Sequence, residues 1–335
     1  MKKILAVALV LIMTVALTAC GGSDGGSDGE AVKFIVGTET AETSNTAKAL
    51  KEMEANIEEA SGGTVDVEVH YSGVLGSESE MLEQLQMGSV NLVLPGSTLL
   101  TAYDERFAIW DIPFLFTSYE AVEEAVNGEL GEKWNEIMAE YDFDCLGIIP
   151  TGFRGLSNSK HAVHTPDDMK GLKIRVMESD TYIDTFNALG TNTVTMNYSD
   201  VYSALQQGVI DGQDNPAEFT VSAGFYEIQD YYTRLNHVMC MMPVITKVGY
   251  LDSLTETQRT AIEEGVDQMI KNLSQEFKEN EEGFIQQMAD SGVEITELSD
   301  EEMAAFAEKV QSVHDTFRER LGDDLFELAE SYSEN

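Results

Sequence analysis

Few residues in this sequence are spaced for covalent chemistry. No Gly-rich phosphate loop, G-x-S-x-G elbow, H-E-x-x-H pair or Cys/His metal cluster occurs in the 335 residues. Ser157 and Lys160 satisfy S-x-x-K, but the companion S-D-N and K-T-G motifs are missing. His161 and His164 share a loop with no Cys or second His pair beside them, too few ligands for a metal site. Acidic residues are so abundant that no one pair of carboxylates singles itself out for glycoside hydrolysis. What remains is binding chemistry. Arg175 lies in a short strand-like run, Leu172 to Val176, and a guanidinium offers a permanently charged, two-pronged donor face that matches a carboxylate. Capture of a small molecule is expected rather than turnover, with no cofactor and no metal.

Composition narrows the partners. The chain carries 20 Lys+Arg against 60 Asp+Glu, a formal charge of −40. Such a polyanion repels nucleic acid and anionic membrane surfaces, whose binding needs clustered cations. With 43% hydrophobic residues the chain can bury a proper core, and its length fits two domains of moderate size. Residues 1–19 form a signal peptide: Lys2 and Lys3 precede an uncharged run from Ile4 to Leu17, too short to span a bilayer. Leu17-Thr18-Ala19-Cys20 reads as a bacterial lipobox with Cys20 the lipidated residue; a plain cleaved signal is the alternative. Gly21 to Glu30 is a Gly/Ser/Asp tether. A body tethered on the outer side of a membrane follows. Cys145 and Cys240 leave a disulfide undecided.

The elements that must position a site alternate in kind. Val32 to Val36 reads as a strand, Ala47, Leu50, Met53 and Ile57 as one face of a helix stopped at Gly62-Gly63, and Val65, Val67 and Val69 as a half-buried strand. Met81, Leu82 and Leu85 mark a helix ending near Gly88, and Val90 to Leu94 a buried strand before Pro95-Gly96. Leu146 to Ile149 predicts a strand closed by Pro150. Ser199 to Gln207 predicts a helix, followed by a brief strand at Val209-Ile210. Thr255 with Gln258 and Ser299 with Glu302 are capping boxes. The second opens one helix with Met303, Phe306, Val310, Val313, Phe317 and Leu321 on a face. This order predicts an α/β fold with largely parallel strands.

From Gly152 to His237 the chain resembles the solute-binding proteins of tripartite ATP-independent periplasmic (TRAP) transporters. The motifs are GFRGLSNSK, TPDDMKGLKIRV, NALGTNTVTMNYSDVYSALQQGVIDGQDNP and FYEIQDYYTRLNH, with SGGTVDVEV, GVLGSESEMLEQLQMGSVNL and DIPFLF upstream. The resemblance implies a two-domain periplasmic-binding-protein-like fold with a hinge, crossing strands and a long domain-spanning helix. Its first domain would hold 31–151 plus about 240–280, and its second 152–239 plus about 281–335. It implies capture of a small organic carboxylate, a sugar acid or dicarboxylate, and delivery to the TRAP membrane permease. A sensor presenting its closed state to a membrane receptor is the alternative.

The resemblance also implies site roles. Arg175 in KIRV falls on the arginine that binds the solute carboxylate. Arg154 in GFRG matches an auxiliary arginine, with an interface salt bridge as the other reading. Asn215 in DGQDNP matches an asparagine that donates to the same carboxylate, and Tyr198 in MNYSD an aromatic that packs on the solute. Thr38, Gly96 and Ser97 stand at first-domain strand ends that line the cleft, and Glu39 beside them is placed to accept from a sugar hydroxyl. Two positions depart from the family pattern: Ser79 stands where many members carry an arginine, and Gly96 where some acidic-sugar binders carry a glutamate.

Overall fold

The structure, a computed structural model, describes residues 30–333. The signal segment, Cys20 and nearly all of the tether lie outside the described residues. In chain order the strands are β1 (Val32–Gly37), β2 (Val65–His70), β3 (Leu92–Val93), β4 (Phe143–Phe153), β5 (Gly155–Asn158), β6 (Lys173–Val176), β7 (Asn192–Thr195), β8 (Gly212–Asn215), β9 (Tyr231–Thr233), β10 (Met239–Lys247) and β11 (Glu294–Thr296). The helices are α1 (Asn45–Ala60), α2 (Glu78–Met87), α3 (Tyr119–Val126), α4 (Glu129–Ala139), α5 (Asp180–Ala188), α6 (Tyr198–Gln206), α7 (Ala217–Ser222), α8 (Glu256–Asp290), α9 (Asp300–Lys309), α10 (Gln311–Leu321) and α11 (Asp323–Ser333).

The strands form two sheets, ordered β2-β1-β3-β10-β4 and β11-β9-β5-β8-β6-β7. β1 runs parallel to β2 and β3, and β6 parallel to β7 and β8. The expectation of largely parallel strands holds there and for β9 with β11, and fails at the other pairs: β10 is antiparallel to β3 and β4, and β5 to β8 and β9. The reason is the crossing of the chain between sheets. β4 passes from the first sheet into β5 of the second with only Arg154 between them, and β9 returns to β10 in the opposite direction.

The local reasons for these elements are simple. In β2, Val65 and Val67 are buried while Asp66 between them is exposed. Ser44 caps α1 by accepting from the Ala47 N–H, and Leu50, Met53 and Ile57 pack in one cluster with Ile262, Val266 and Met269 of α8. The Thr255–Gln258 capping box opens α8, whose 35 residues run about 50 Å. Its early stripe, to Phe277, packs in the cluster that holds Phe34 and Val36 of the first sheet; Ile285 and Met288 pack in another with Tyr232 of the second. One helix therefore spans both sheets.

Three expectations are corrected. The strand expected to close at Pro150 runs on to Phe153, because β10 supplies a full-length partner and the register shifts between Cys240 and Met241, opposite Gly152 and Pro150. The strand expected at Val209-Ile210 lies instead at Gly212–Asn215, so Asp214 and Asn215 are strand residues. The helix expected from Ser299 to Leu321 breaks at Val310 (φ −101°, ψ 8°) into α9 and α10. Phe306, Val310, Val313 and Phe317 still share one buried cluster, so packing survives the change of axis. A Cys145–Cys240 disulfide is excluded. Cys145 faces Ile245 and Cys240 faces Gly152 on the paired strands, a separation of about 16 Å at strand rise, far beyond a bridge.

β8 approaches β5 closely at Gly212, where a Cβ would sit 2.1 Å from the Ser157 carbonyl oxygen. Gly212→Ala is expected to destabilise the protein by about 1–3 kcal/mol. Denaturant unfolding checks this, and an unchanged midpoint would contradict the close packing.

Candidate functional site

The strand ends converge on a cleft between the two sheets, of about 700 Å³ when its open mouth and the solvent in it are included. From the first sheet come Glu39 and Thr40 after β1, Glu78 and Ser79 at the start of α2, and Gly96 after β3. From the second come Arg175 in β6, Met177 just after it, Asn197 and Tyr198 at the start of α6, and Asn215 at the end of β8. Arg154 and Cys240 stand where the crossing strands pass beneath. The carboxyl ends of parallel strands are where α/β sheets bind ligands.

Arg175 is 3% exposed. Its Nε and Nη2 donate to the Met196 carbonyl oxygen at 3.0 and 2.7 Å, and Nη1 has no partner among the described residues. Burial pulls its pKa down to about 10, partly offset by the Asp214 charge, so the group stays cationic at neutral pH. Arg154 is differently placed. Its Nε donates to Asp214 Oδ2 at 2.6 Å, its Nη2 to the Asp214 carbonyl at 2.7 Å, and its Nη1 to Cys240 Sγ at 3.3 Å. The guanidinium also lies over the Tyr182 ring, 5.1 Å from its centre. Burial favours the neutral acid at Asp214, yet Arg154 beside it holds the carboxyl far below the usual range. The pair is neutral as a unit, so Arg175 carries the net positive charge of the cleft floor.

The other expected residues divide. Asn215 lines the cleft and donates one amide hydrogen to Gln213 Oε1, leaving the other free to reach a ligand. Tyr198 lines it too, with its hydroxyl donating to the Phe219 carbonyl at 3.3 Å and its ring edge-on to Phe225. Gly96 is in the wall, and a Cβ there would lie 2.6 Å from Met177 Cε, so the two walls touch at this point. Thr38 and Ser97 are not in the wall. Thr38 is buried behind it, where its Oγ1 accepts from the Thr40 N–H at 3.1 Å and fixes the turn that presents Glu39 and Thr40. Ser97 is buried as the first residue of a short 3₁₀ turn, Ser97–Ala102.

Sequence reasoning missed Glu78 and the more exposed Glu178, along with an apolar belt of Leu99, Met177, Met196, Phe219 and Met242. Glu78 follows the Ser77 cap and reads as an ordinary first-turn acid. It faces inward instead, accepting from the Gly96 N–H at 3.1 Å. Burial pushes its pKa up to about 8, with Glu39 adding to the rise and the Gly96 N–H and Arg175 opposing it. Glu39 is 6% exposed, its Oε1 has no hydrogen-bond partner, and burial raises its pKa against the pull of Ser199 and Arg175.

A profile described as bacterial extracellular solute-binding protein, family 7, matches residues 36–320. The chain belongs to this family. It is 32% identical over 277 residues to the C4-dicarboxylate-binding periplasmic protein DctP of Rhodobacter capsulatus, covering 82% of this chain and 83% of that one. Two TRAP periplasmic solute-binding proteins are similar in structure, each at 28% identity and covering 90% of this chain and 99% of theirs. One, from Shewanella oneidensis with bound succinate, has a TM-score of 0.87. The other, from Chromohalobacter salexigens with bound D-glucuronate, has a TM-score of 0.84. The two-domain TRAP solute-binding fold and the transport class follow from these matches. No helix among the described residues is long and apolar enough to cross a membrane.

Behind the cleft of this family 7 protein a further acid is buried. Asp111 is 2% exposed, accepts from Thr98 Oγ1 at 2.9 Å and leaves Oδ2 without a partner. Burial raises its pKa to about 7, with Thr98 and Arg154 resisting. A raised carboxyl favours folding fully below its unfolded value, about 3.9, and loses that contribution as pH rises through the folded value. Stability is therefore expected to fall between about pH 4 and pH 7, and Asp111→Asn to flatten the fall by about 1 kcal/mol or more. Denaturant unfolding at the two pH values checks this; parallel profiles for wild type and variant would contradict it.

Proposed function

We propose that this protein captures a small organic carboxylate, a sugar acid or dicarboxylate, and delivers it to a TRAP membrane permease. The observation that carries the reading is Arg175: a buried cation in the cleft, braced through Nε and Nη2 on the Met196 carbonyl, with Nη1 left to donate. A carboxylate docked on the Nη1–Nη2 edge makes charge-assisted hydrogen bonds in a place shielded from water. Asn215 adds an amide donor beside it, and Tyr198 and Phe219 cover the carbon skeleton. Arg154 acts mainly through Asp214, holding the end of β8 that carries Asn215. Closure of the two sheets' walls over the solute is the signal for the permease to read. Cys20, lipidated at the outer face of the membrane, keeps the body near that permease.

Arg175→Ala is expected to weaken binding of the acid by about 2–4 kcal/mol, since truncating one member of a buried charge pair costs about 2–5. Calorimetry measures it, and unchanged affinity would remove Arg175 from the site. Cys20→Ser is expected to move the protein from the membrane pellet to the soluble fraction on ultracentrifugation. Continued pelleting would argue against the lipid anchor.

A further inference from the structure

The charges of the cleft are distributed unevenly between its walls. The second sheet supplies Arg175, with the solvent-exposed Glu178 just after its strand, while the first supplies Glu39 and Glu78. Among the described residues the lining holds no Lys or His, and its only other cation is Arg154. Arg154 is already committed to the Asp214 carboxylate, the Asp214 carbonyl and Cys240 Sγ. Ser79, beside Glu78 in the wall, is neutral. At a pH above the Glu78 value of about 8, a solute held by its carboxylate on Arg175 therefore meets two carboxylate acceptors on the first-sheet wall.

The acceptors are built for use. Glu39 is more than nine-tenths buried, lines the cleft, and its Oε1 lacks any hydrogen-bond partner. A buried acceptor left unpaired costs free energy that a donor from a ligand recovers. Glu78 is held in place by the Gly96 N–H on Oε2, so it presents a fixed group. Between the acidic and basic ends lies the apolar belt from Leu99 to Met242, and the third glutamate of the lining, Glu178, is exposed to solvent.

We propose that Glu39 and Glu78 are specificity-determining residues, which select a monocarboxylate whose far end carries hydrogen-bond donors, hydroxyl or ammonium, and turn away a second carboxylate. This rests on the Arg175 clamp and narrows the solute class within it. A dicarboxylate in this cleft places its second charge against two glutamates, and like charges so juxtaposed disfavour binding.

The test is a matched series titrated into the purified protein at about pH 8.5, above the Glu78 value of about 8. Gluconate is compared with glucarate, and γ-hydroxybutyrate and γ-aminobutyrate with succinate. Wild type is expected to bind each donor-ended monoacid about tenfold or more tighter than its dicarboxylate partner. The hydroxyl and ammonium arms show which donor is preferred. The double variant E39Q/E78Q, which keeps shape and removes charge, is expected to narrow that ratio about tenfold. If it melts far below wild type, E39Q alone serves the same comparison. Succinate or glucarate binding as tightly as its partner in wild type, or a ratio unmoved by the variants, overturns the proposal. Arg175→Ala separates the two levels. If some acid binds wild type and the variant equally, or no acid binds at all, the clamp itself has failed.

Discussion

Two guanidinium groups can lie under one cleft only because one of them is neutralised inside the protein. Asp214 neutralises Arg154, with both side chains essentially inaccessible to water. Each partner would be costly to bury alone, and the pair is tolerable because the opposite charges meet directly and each guanidinium nitrogen of Arg154 has a partner. The pair also joins elements. Arg154 is the single residue between β4 and β5, and Asp214 stands in β8, one residue from Asn215. The link that settles the charge of the floor thus also fixes where two sheets meet and where an amide donor points. Arg175 is left with its charge unmatched by any ion pair among the described residues. This is the condition for holding an anion.

The acidic surface and the cationic floor of the cleft do not conflict. At physiological salt the screening length is about 8 Å, so most of the 60 acidic residues act weakly on the cleft floor. The glutamates that matter are Glu39 and Glu78 on the first-sheet side, the third in the lining, Glu178, being exposed. They set the sign of the far wall, and burial keeps both carboxyls above their ordinary range. The cleft is thereby polar at both ends in opposite senses, with an apolar middle. Recognition by such a site depends on the separation and chemistry of a solute's two ends more than on its total charge.

Much of this architecture is legible in the sequence because local patterns and tertiary packing agree. The Val65-Val67-Val69 alternation, the α1 stripe and the Thr255 capping box each specify an element that the packing then uses unchanged. Arg175, Asn215 and Tyr198 are readable because their motifs are tied to strand ends and a helix start. The failures share a cause. β4 continues through Pro150 because a distant segment, β10, pairs with it. Glu78 looks like a solvent-facing first-turn acid, and only the approach of the turn at Gly96 makes it part of a wall. Thr38 stands one residue from the wall, and its side chain turns inward to brace Thr40. Burial decided by remote contacts leaves no local mark.

The most direct test of the carboxylate-binding account is a thermal-shift comparison of organic acids with their primary amides. The two differ in charge and little in shape. Ligand present at about 100 times its dissociation constant adds about 2.7 kcal/mol of stability, enough to raise the melting temperature by several degrees. The account predicts a rise with at least one acid and none with its amide. A rise of equal size with acid and amide, or with amides alone, would contradict a site organised around the charge of Arg175.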